Sequence, residues 1–160
     1  MMTNFISYNK KSIKNYESEY NADTLFMLQE TFNTTYADHL AITQTFSQSL
    51  NQLMRHRKWN RSIFTEKTQL DGAMYSRIIN NKLKNPTFHT VVTICASLGL
   101  SMTTTTKLLE LAGYTFGTSE EHQIYSFLFS EMQGKSIDEM NEFLEFMSVR
   151  TLGSRNKDDK

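Results

Sequence analysis

The sequence has few residues that break or cross-link a chain: one proline, six glycines and one cysteine among 160 residues. So few breaks favour helices over a strand-and-turn architecture. The single cysteine, Cys95, excludes an internal disulfide and fits a reducing cytoplasm. No apolar run approaches the roughly 18 residues that a membrane span needs. The N-terminal residues also lack the apolar stretch of a secretory signal, so we expect no export and no membrane partner.

The net charge is zero as well, but the charges are unevenly distributed along the chain. Residues 101–149 hold two basic and eight acidic residues, a net charge of −6 with histidine neutral. Residues 48–100 hold two acidic residues and eight basic ones, a net charge of +6: Arg55, Arg57, Lys58, Arg61, Lys67, Arg77, Lys82 and Lys84. A basic middle and an acidic C-terminal part suggest one surface for a polyanion and another held away from it. The alternative is two solvated faces of opposite sign.

Residues 1–40 are predicted to form a flexible arm followed by one helix. The arm, up to about residue 21, is rich in Asn, Ser, Lys and Tyr and shows no periodicity. Asp23 is a candidate N-cap for a helix that ends near Thr35. The apolar residues at helical spacing are Leu25, Leu28, Phe32 and Tyr36.

Residues 41–113 contain five predicted helices. The first has an apolar stripe at positions i, i+4, i+7 and i+8, formed by Phe46, Leu50, Leu53 and Met54. Asn60 and Asp71 are candidate N-caps of the two short helices that follow. The only proline, Pro86, closes the next loop, and Gly99 and Gly113 mark the ends of the last two helices.

Residues 114–150 are predicted to form a pair of helices, capped by Ser119 and Ser136. The second helix opens with the capping box SIDE. Aromatic and methionine residues are numerous here, and two of them, Phe127 and Phe129, lie off the main apolar stripe. Such a surplus suits a dimer interface, although it is also compatible with a core role alone. Residues 151–160 are predicted to be a charged tail.

The order of elements from Leu50 to Leu100 is distinctive. An amphipathic helix leads to a short helix, a tight turn, a second short helix, a loop ending in proline and a further helix. This pattern resembles the DNA-binding domain of the lambda-repressor-like helix-turn-helix family of phage and bacterial regulators (Cro/repressor, xenobiotic-response-element type). The matching positions include Leu50, Leu53, Trp59, Asn60, Phe64, Thr65, Leu70, Tyr75, Ile78, Asn80, Lys82, Val91, Ile94, Cys95 and Leu98. The segments LLELAGYTF and SIDEMNEFLEF, with a trailing LGS, extend the resemblance toward the C-terminus.

The resemblance implies an all-α fold: a five-helix lambda-repressor-like domain, an extra N-terminal helix and a C-terminal helical extension. It also implies that residues 72–80, approximately, form a recognition helix that lies in the major groove of double-stranded DNA. The base contacts that it implies are Ala73, Met74 and Arg77. The phosphate contacts that it implies are Asn60, Arg61, Asn80, Lys82 and Lys84.

The side chains of this helix limit what it can read. Gly72 offers no side chain, Ala73 and Met74 can contact thymine methyl groups, and Arg77 can bind guanine through two hydrogen bonds. Arg61 stands where the family commonly has a glutamine that contacts phosphate, and arginine also suits phosphate. The alternative is that the helix only packs and that Arg77 is solvated.

The sequence gives little support for a metal site, a phosphate-binding site or a catalytic site. The histidines and Cys95 show no recognised metal-ligand spacing, and neither a phosphate-binding loop nor a nucleophile motif is present. The sequence therefore predicts a protein without catalytic residues, metal or cofactor, and not an enzyme.

The predicted function is a sequence-specific transcriptional regulator, of repressor type, that binds DNA in the cytoplasm as a homodimer. The alternative is a protein-docking module, such as an antitoxin or a phage-encoded inhibitor, that uses the same domain or the C-terminal helices to bind a protein partner. The sparse polar face of the recognition helix keeps this alternative open.

Overall fold

A computed structural model describes residues 20–43 and 45–154, and no strand occurs within them. Eight helices follow one another in this part of the chain: α1 Ala22–Ala41, α2 Phe46–His56, α3 Arg61–Thr68, α4 Gly72–Ile79, α5 Phe88–Ser97, α6 Met102–Leu111, α7 Glu120–Glu131 and α8 Ile137–Phe146. The prediction of an all-α fold is confirmed. None of these helices is long and apolar enough to cross a membrane. Most of the predicted flexible arm, residues 1–19, lies outside the described residues.

The chain divides into two compact units, residues 1–37 and 38–160. In the first unit, the described residues form most of α1. The prediction of a helix here is confirmed, but its N-cap is Asn21 and not Asp23, because the Asn21 side chain accepts a hydrogen bond from the Thr24 amide at 2.8 Å. The helix also continues past the predicted end near Thr35, since neither glycine nor proline interrupts the segment.

The core of the second unit is built around α5. Six of its ten residues are buried, and α3, α6, α7 and α8 all pack against it. The predicted apolar stripe of α2 is buried as well. Gly99 follows the end of α5 with φ +68°, and its amide donates to the Ala96 carbonyl at 3.0 Å. This left-handed conformation favours glycine, as predicted for a helix C-terminus.

The two C-terminal helices belong to the same unit as α5. Their predicted caps are confirmed: the Ser119 hydroxyl accepts from the His122 amide at 3.2 Å, and Ser136 and Glu139 form the reciprocal capping box. Phe129, expected to lie off the core stripe, is buried, with its ring 6.1 Å from that of Phe116. It is therefore a core residue and not surplus apolar surface.

Residues 151–154 correct the prediction of a charged tail. Leu152 is fully buried, and its amide and carbonyl both bond the Asn141 side chain, at 2.7 and 3.1 Å. The Gly153 amide donates to the Thr93 hydroxyl at 3.2 Å. These residues are uncharged, and burial of the leucine together with satisfied backbone groups stabilises them against the core. Residues 155–160 lie outside the described residues.

Candidate functional site

Helices α3 and α4 are joined by a turn of three residues, 69–71. Gln69 adopts the left-handed conformation with φ +56°, and its amide donates to the Thr65 carbonyl at 2.9 Å. The Leu70 amide donates to the Thr68 hydroxyl at 3.1 Å, and that hydroxyl donates to the Phe64 carbonyl at 2.7 Å. The angle between the two helices is thus fixed by local hydrogen bonds, as in a helix-turn-helix unit.

The buried positions of α3 differ in one place from the prediction. Phe64 and Leu70 are buried as predicted, but Thr65 is exposed and Thr68 is buried instead. Thr68 follows Phe64 by four residues and so shares its face of the helix, whereas Thr65 points about 100° away. The Thr65 hydroxyl donates to the Arg61 carbonyl at 3.0 Å.

The inner face of α4 is held along its whole length. Asp71 caps the helix, as predicted, by accepting from the Ala73 amide at 2.9 Å. Ile78 is fully buried, and the Tyr75 ring lies 5.7 Å from the ring of Phe64. At the other end, the Asn51 amide group donates to the Ile79 carbonyl at 3.2 Å. These contacts fix the direction of α4 against the rest of the unit.

Two of the three predicted base-contact residues, Ala73 and Arg77, lie on the outer face of α4. Met74 precedes the buried Ile78 by four residues and so lies on the same side of the helix as Ile78. Arg77 is exposed, whereas Ala73 and Met74 are half-buried. Met74 also packs against the core, so only part of its side chain is available to a ligand. Arg77 is therefore the one charged, hydrogen-bonding side chain among the three.

The predicted phosphate-contact residues are all exposed: Asn60, Arg61, Asn80, Lys82 and Lys84. The two asparagines also hold helix ends. The Asn60 carbonyl group accepts from the Ile63 amide at 2.9 Å, and the Asn80 amide group donates to the Ser76 carbonyl at 2.9 Å. The Arg77 carbonyl accepts from the Lys82 amide at 2.7 Å, which anchors the basic loop directly to α4.

Arg61 and Gly72 are brought together by the turn. A Cβ atom added to Gly72 would clash with Nε of Arg61 and would lie 3.0 Å from its Nη2 and 3.1 Å from its Cζ. The guanidinium of the first residue of α3 therefore lies against the first residue of α4. The resemblance implies a phosphate contact for Arg61, and the contact between Arg61 and Gly72 was not predicted from the sequence.

Arg57 has a structural role that the charge count does not show. Its two terminal nitrogens donate to the two carboxylate oxygens of Asp38 at 2.8 and 2.7 Å, and Nε donates to the Leu98 carbonyl at 2.9 Å. The Asp38 side chain is only 7% exposed. Because Asp38 neutralises Arg57, residues 48–100 present less positive charge to a polyanion than their net charge of +6 suggests.

The titratable groups of α5 serve packing. Burial raises the pKa of the Cys95 thiol to about 12, so this cysteine is not a thiolate near neutral pH. Burial also lowers the pKa of His89, whose Nε2 lies 2.7 Å from the Thr151 carbonyl oxygen. Within residues 20–43 and 45–154, no three His, Cys, Asp or Glu side chains are grouped so that they could hold a metal ion.

The comparison with protein-family models concerns the helix-turn-helix region. The model of the Cro/C1-type HTH DNA-binding domain matches residues 49–112. This range contains most of α2 and the whole of α3, α4, α5 and α6. No curated protein and no solved structure matches the chain.

Proposed function

We propose that this chain is a sequence-specific transcriptional regulator of repressor type, because residues 49–112 match the model of the Cro/C1-type HTH DNA-binding domain. In this proposal α4 lies in the major groove, with Arg77, Ala73 and the exposed part of Met74 toward the bases. The protein acts in the cytoplasm, where a thiol such as Cys95 stays reduced.

The observation that carries the proposal is the contrast between the two faces of α4. The inner face is fixed by Tyr75 and Ile78, while the outer face presents Arg77 next to a loop with two exposed lysines, Lys82 and Lys84. A helix that is packed on its inner face and has basic side chains beside its outer face suits a groove flanked by phosphates. Phosphate contacts fix the register of the protein, and base contacts supply the specificity.

Salt dependence of binding tests the phosphate contacts. Because each neutralised phosphate releases counterions, Lys82→Ala is expected to reduce the slope of log affinity against log salt by about one unit on any sequence. Lys135→Ala is the matched control, since this exposed lysine lies outside the helix-turn-helix and its loss should leave the slope unchanged. The measurement is a fluorescence titration of duplex DNA from low to moderate salt.

An absence of DNA binding, or binding that hardly responds to salt, would contradict the proposal. The protein-docking function, an antitoxin or phage-encoded inhibitor, would then be the better account of the sparse outer face of α4.

We further propose that the regulator is a homodimer held by the region after Gly113. Phe146 is 85% exposed, Met147 is exposed too, and Phe127 is 44% exposed although its ring stacks on that of Phe143 at 5.4 Å. Large apolar side chains exposed on both α7 and α8 suit burial against a second copy of the chain. Two copies would bind two half-sites at once, and small domains of this kind gain affinity and specificity from such paired binding.

Light scattering on the full chain tests the dimer. We expect a dimer at micromolar concentration, and Phe146→Ser should shift it toward monomer because the substitution removes the most exposed apolar side chain of α8. Leu40→Ser is the control, as Leu40 is also exposed but lies in α1. A monomeric full-length protein at this concentration would rule out the dimer.

A further inference from the structure

The first turn of α4 contains a glycine that its backbone does not require. Gly72 is the first residue of the helix, and its φ angle lies outside the left-handed region that favours glycine. Glycine is a poor helix former, so alanine would fit the backbone better. The presence of glycine at position 72 is therefore better explained by the space that its missing side chain leaves.

The guanidinium of Arg61 occupies that space. Its Nη2 and Cζ lie 3.0 and 3.1 Å from where a Cβ of Gly72 would be, and Nε lies closer still. Any larger residue at position 72 would push the guanidinium away. The missing side chain on α4 and the long side chain on α3 are therefore complementary in shape.

The guanidinium is also available to a ligand. Within the part of the chain that the structure describes, Arg61 makes no ion pair and its side chain donates no hydrogen bond, in contrast to Arg57. A guanidinium has five N–H donors in a planar arrangement that matches the two acceptors on the major-groove edge of guanine. The N-terminal residues of a recognition helix are the ones that contact base edges, and the Arg61 guanidinium lies beside them.

We propose that Arg61 is a specificity-determining residue that replaces the missing side chain of Gly72 and binds guanine in the major groove. This inference rests on the proposed function and adds a second base-reading arginine to Arg77. The two arginines approach from different ends of the outer face: Gly72 and Arg77 are five residues apart, or roughly 7.5 Å along the helix axis. They therefore contact different base pairs.

Two substitutions separate base reading from phosphate binding. Arg61→Lys keeps the positive charge but loses the planar pair of donors. Gly72→Ala keeps Arg61 but displaces its guanidinium, and because only the end of a flexible side chain has to move, the fold should tolerate it. Arg55→Lys is the matched control, an exposed arginine at the end of α2.

The experiment is selection from a random duplex library with the full-length wild type and each variant, followed by titration of the selected site and scrambled DNA. For both Arg61→Lys and Gly72→Ala we expect loss of discrimination at the same G·C pair, on the order of tenfold to a hundredfold. Affinity for scrambled DNA and the salt slope should stay close to those of the wild type and of Arg55→Lys, and the thermal midpoint should not fall. The double variant should lose no more than either single variant, since both remove one contact.

The results that contradict the inference differ from those that contradict the proposed function. If the wild type selects a site and both variants select the same site with equal discrimination, Arg61 binds phosphate only and the inference is overturned. If the wild type selects no site at all, the proposed function fails, and the inference fails with it.

Discussion

Helices α5 and α4 have nearly equal lengths but opposite relations to the rest of the unit. Six of the ten residues of α5 are buried, whereas only Ile78 is buried among the eight residues of α4. Four other helices pack against α5. The difference indicates that α5 is the central core helix of the unit, whereas α4 is a surface helix with one packed face and one more exposed face.

This difference has an energetic consequence. Substitutions on α5 should reduce stability and affect DNA binding only through unfolding, because its side chains fill the core. Substitutions on the outer face of α4 should affect DNA binding and leave stability nearly unchanged. Pairs of similar residues on the two helices allow a direct test.

The largest expected effect comes from Ile94→Ala on α5. Ile94 is fully buried, so the lost burial and the cavity left behind should reduce the free energy of unfolding by about 2–5 kcal/mol. Ile79→Ala on α4 is the matched control, because Ile79 is 39% exposed and should cost less than about 1 kcal/mol. Urea denaturation followed by circular dichroism measures both. Equal costs would remove the distinction between the two helices.

A smaller effect on the free energy of unfolding is expected from the protonation of His89, at the start of α5. Burial, together with the neighbouring positive charge of Arg150, lowers its pKa, while the Thr151 carbonyl and Glu121 act in the opposite direction. Below the ordinary pKa of 6.5, the unfolded chain therefore binds a proton that the folded chain does not. Stability should fall as the pH decreases from about 7 through the lowered pKa of the folded state.

The variant His89→Gln isolates this contribution. It should show a flatter pH dependence of the free energy of unfolding than the wild type between about pH 7 and pH 5, since one titrating group is gone. His56→Gln, which removes an exposed histidine, is the control for the loss of a histidine elsewhere in the chain. An unchanged slope for His89→Gln would show that protonation of His89 is not linked to folding.

The features predicted correctly are mostly local in sequence. The N-caps Asn60, Asp71 and Ser136 each bond an amide two or three residues ahead, and Gly99 ends α5 through bonds to the preceding turn. The apolar stripe of α2 repeats within three turns. Such signals depend on helix geometry alone, so the sequence is sufficient to predict them.

Apart from the N-cap Asn21 and the buried Thr68, which are local, the features that were missed depend on partners far along the chain. Arg57 pairs with Asp38 across 19 residues, and Gly153 bonds Thr93 across 60. The contact between Arg61 and Gly72 exists only because the turn sets the angle of α4 against α3. Periodicity shows which face of a helix is apolar, but it does not show which residue of another element meets a given side chain.

Arg77 gives the most direct test of the central claim that α4 reads DNA sequence. Wild type and Arg77→Ala are titrated against a selected site and scrambled DNA, with Arg55→Ala as an exposed arginine outside the helix-turn-helix. We expect Arg77→Ala to lose about 1–3 kcal/mol on the selected site, with relaxed discrimination at one G·C pair, while the free energy of unfolding changes by less than about 0.5 kcal/mol. If the ratio of specific to non-specific affinity stays intact, Arg77 is a solvated surface charge and α4 is not the recognition helix.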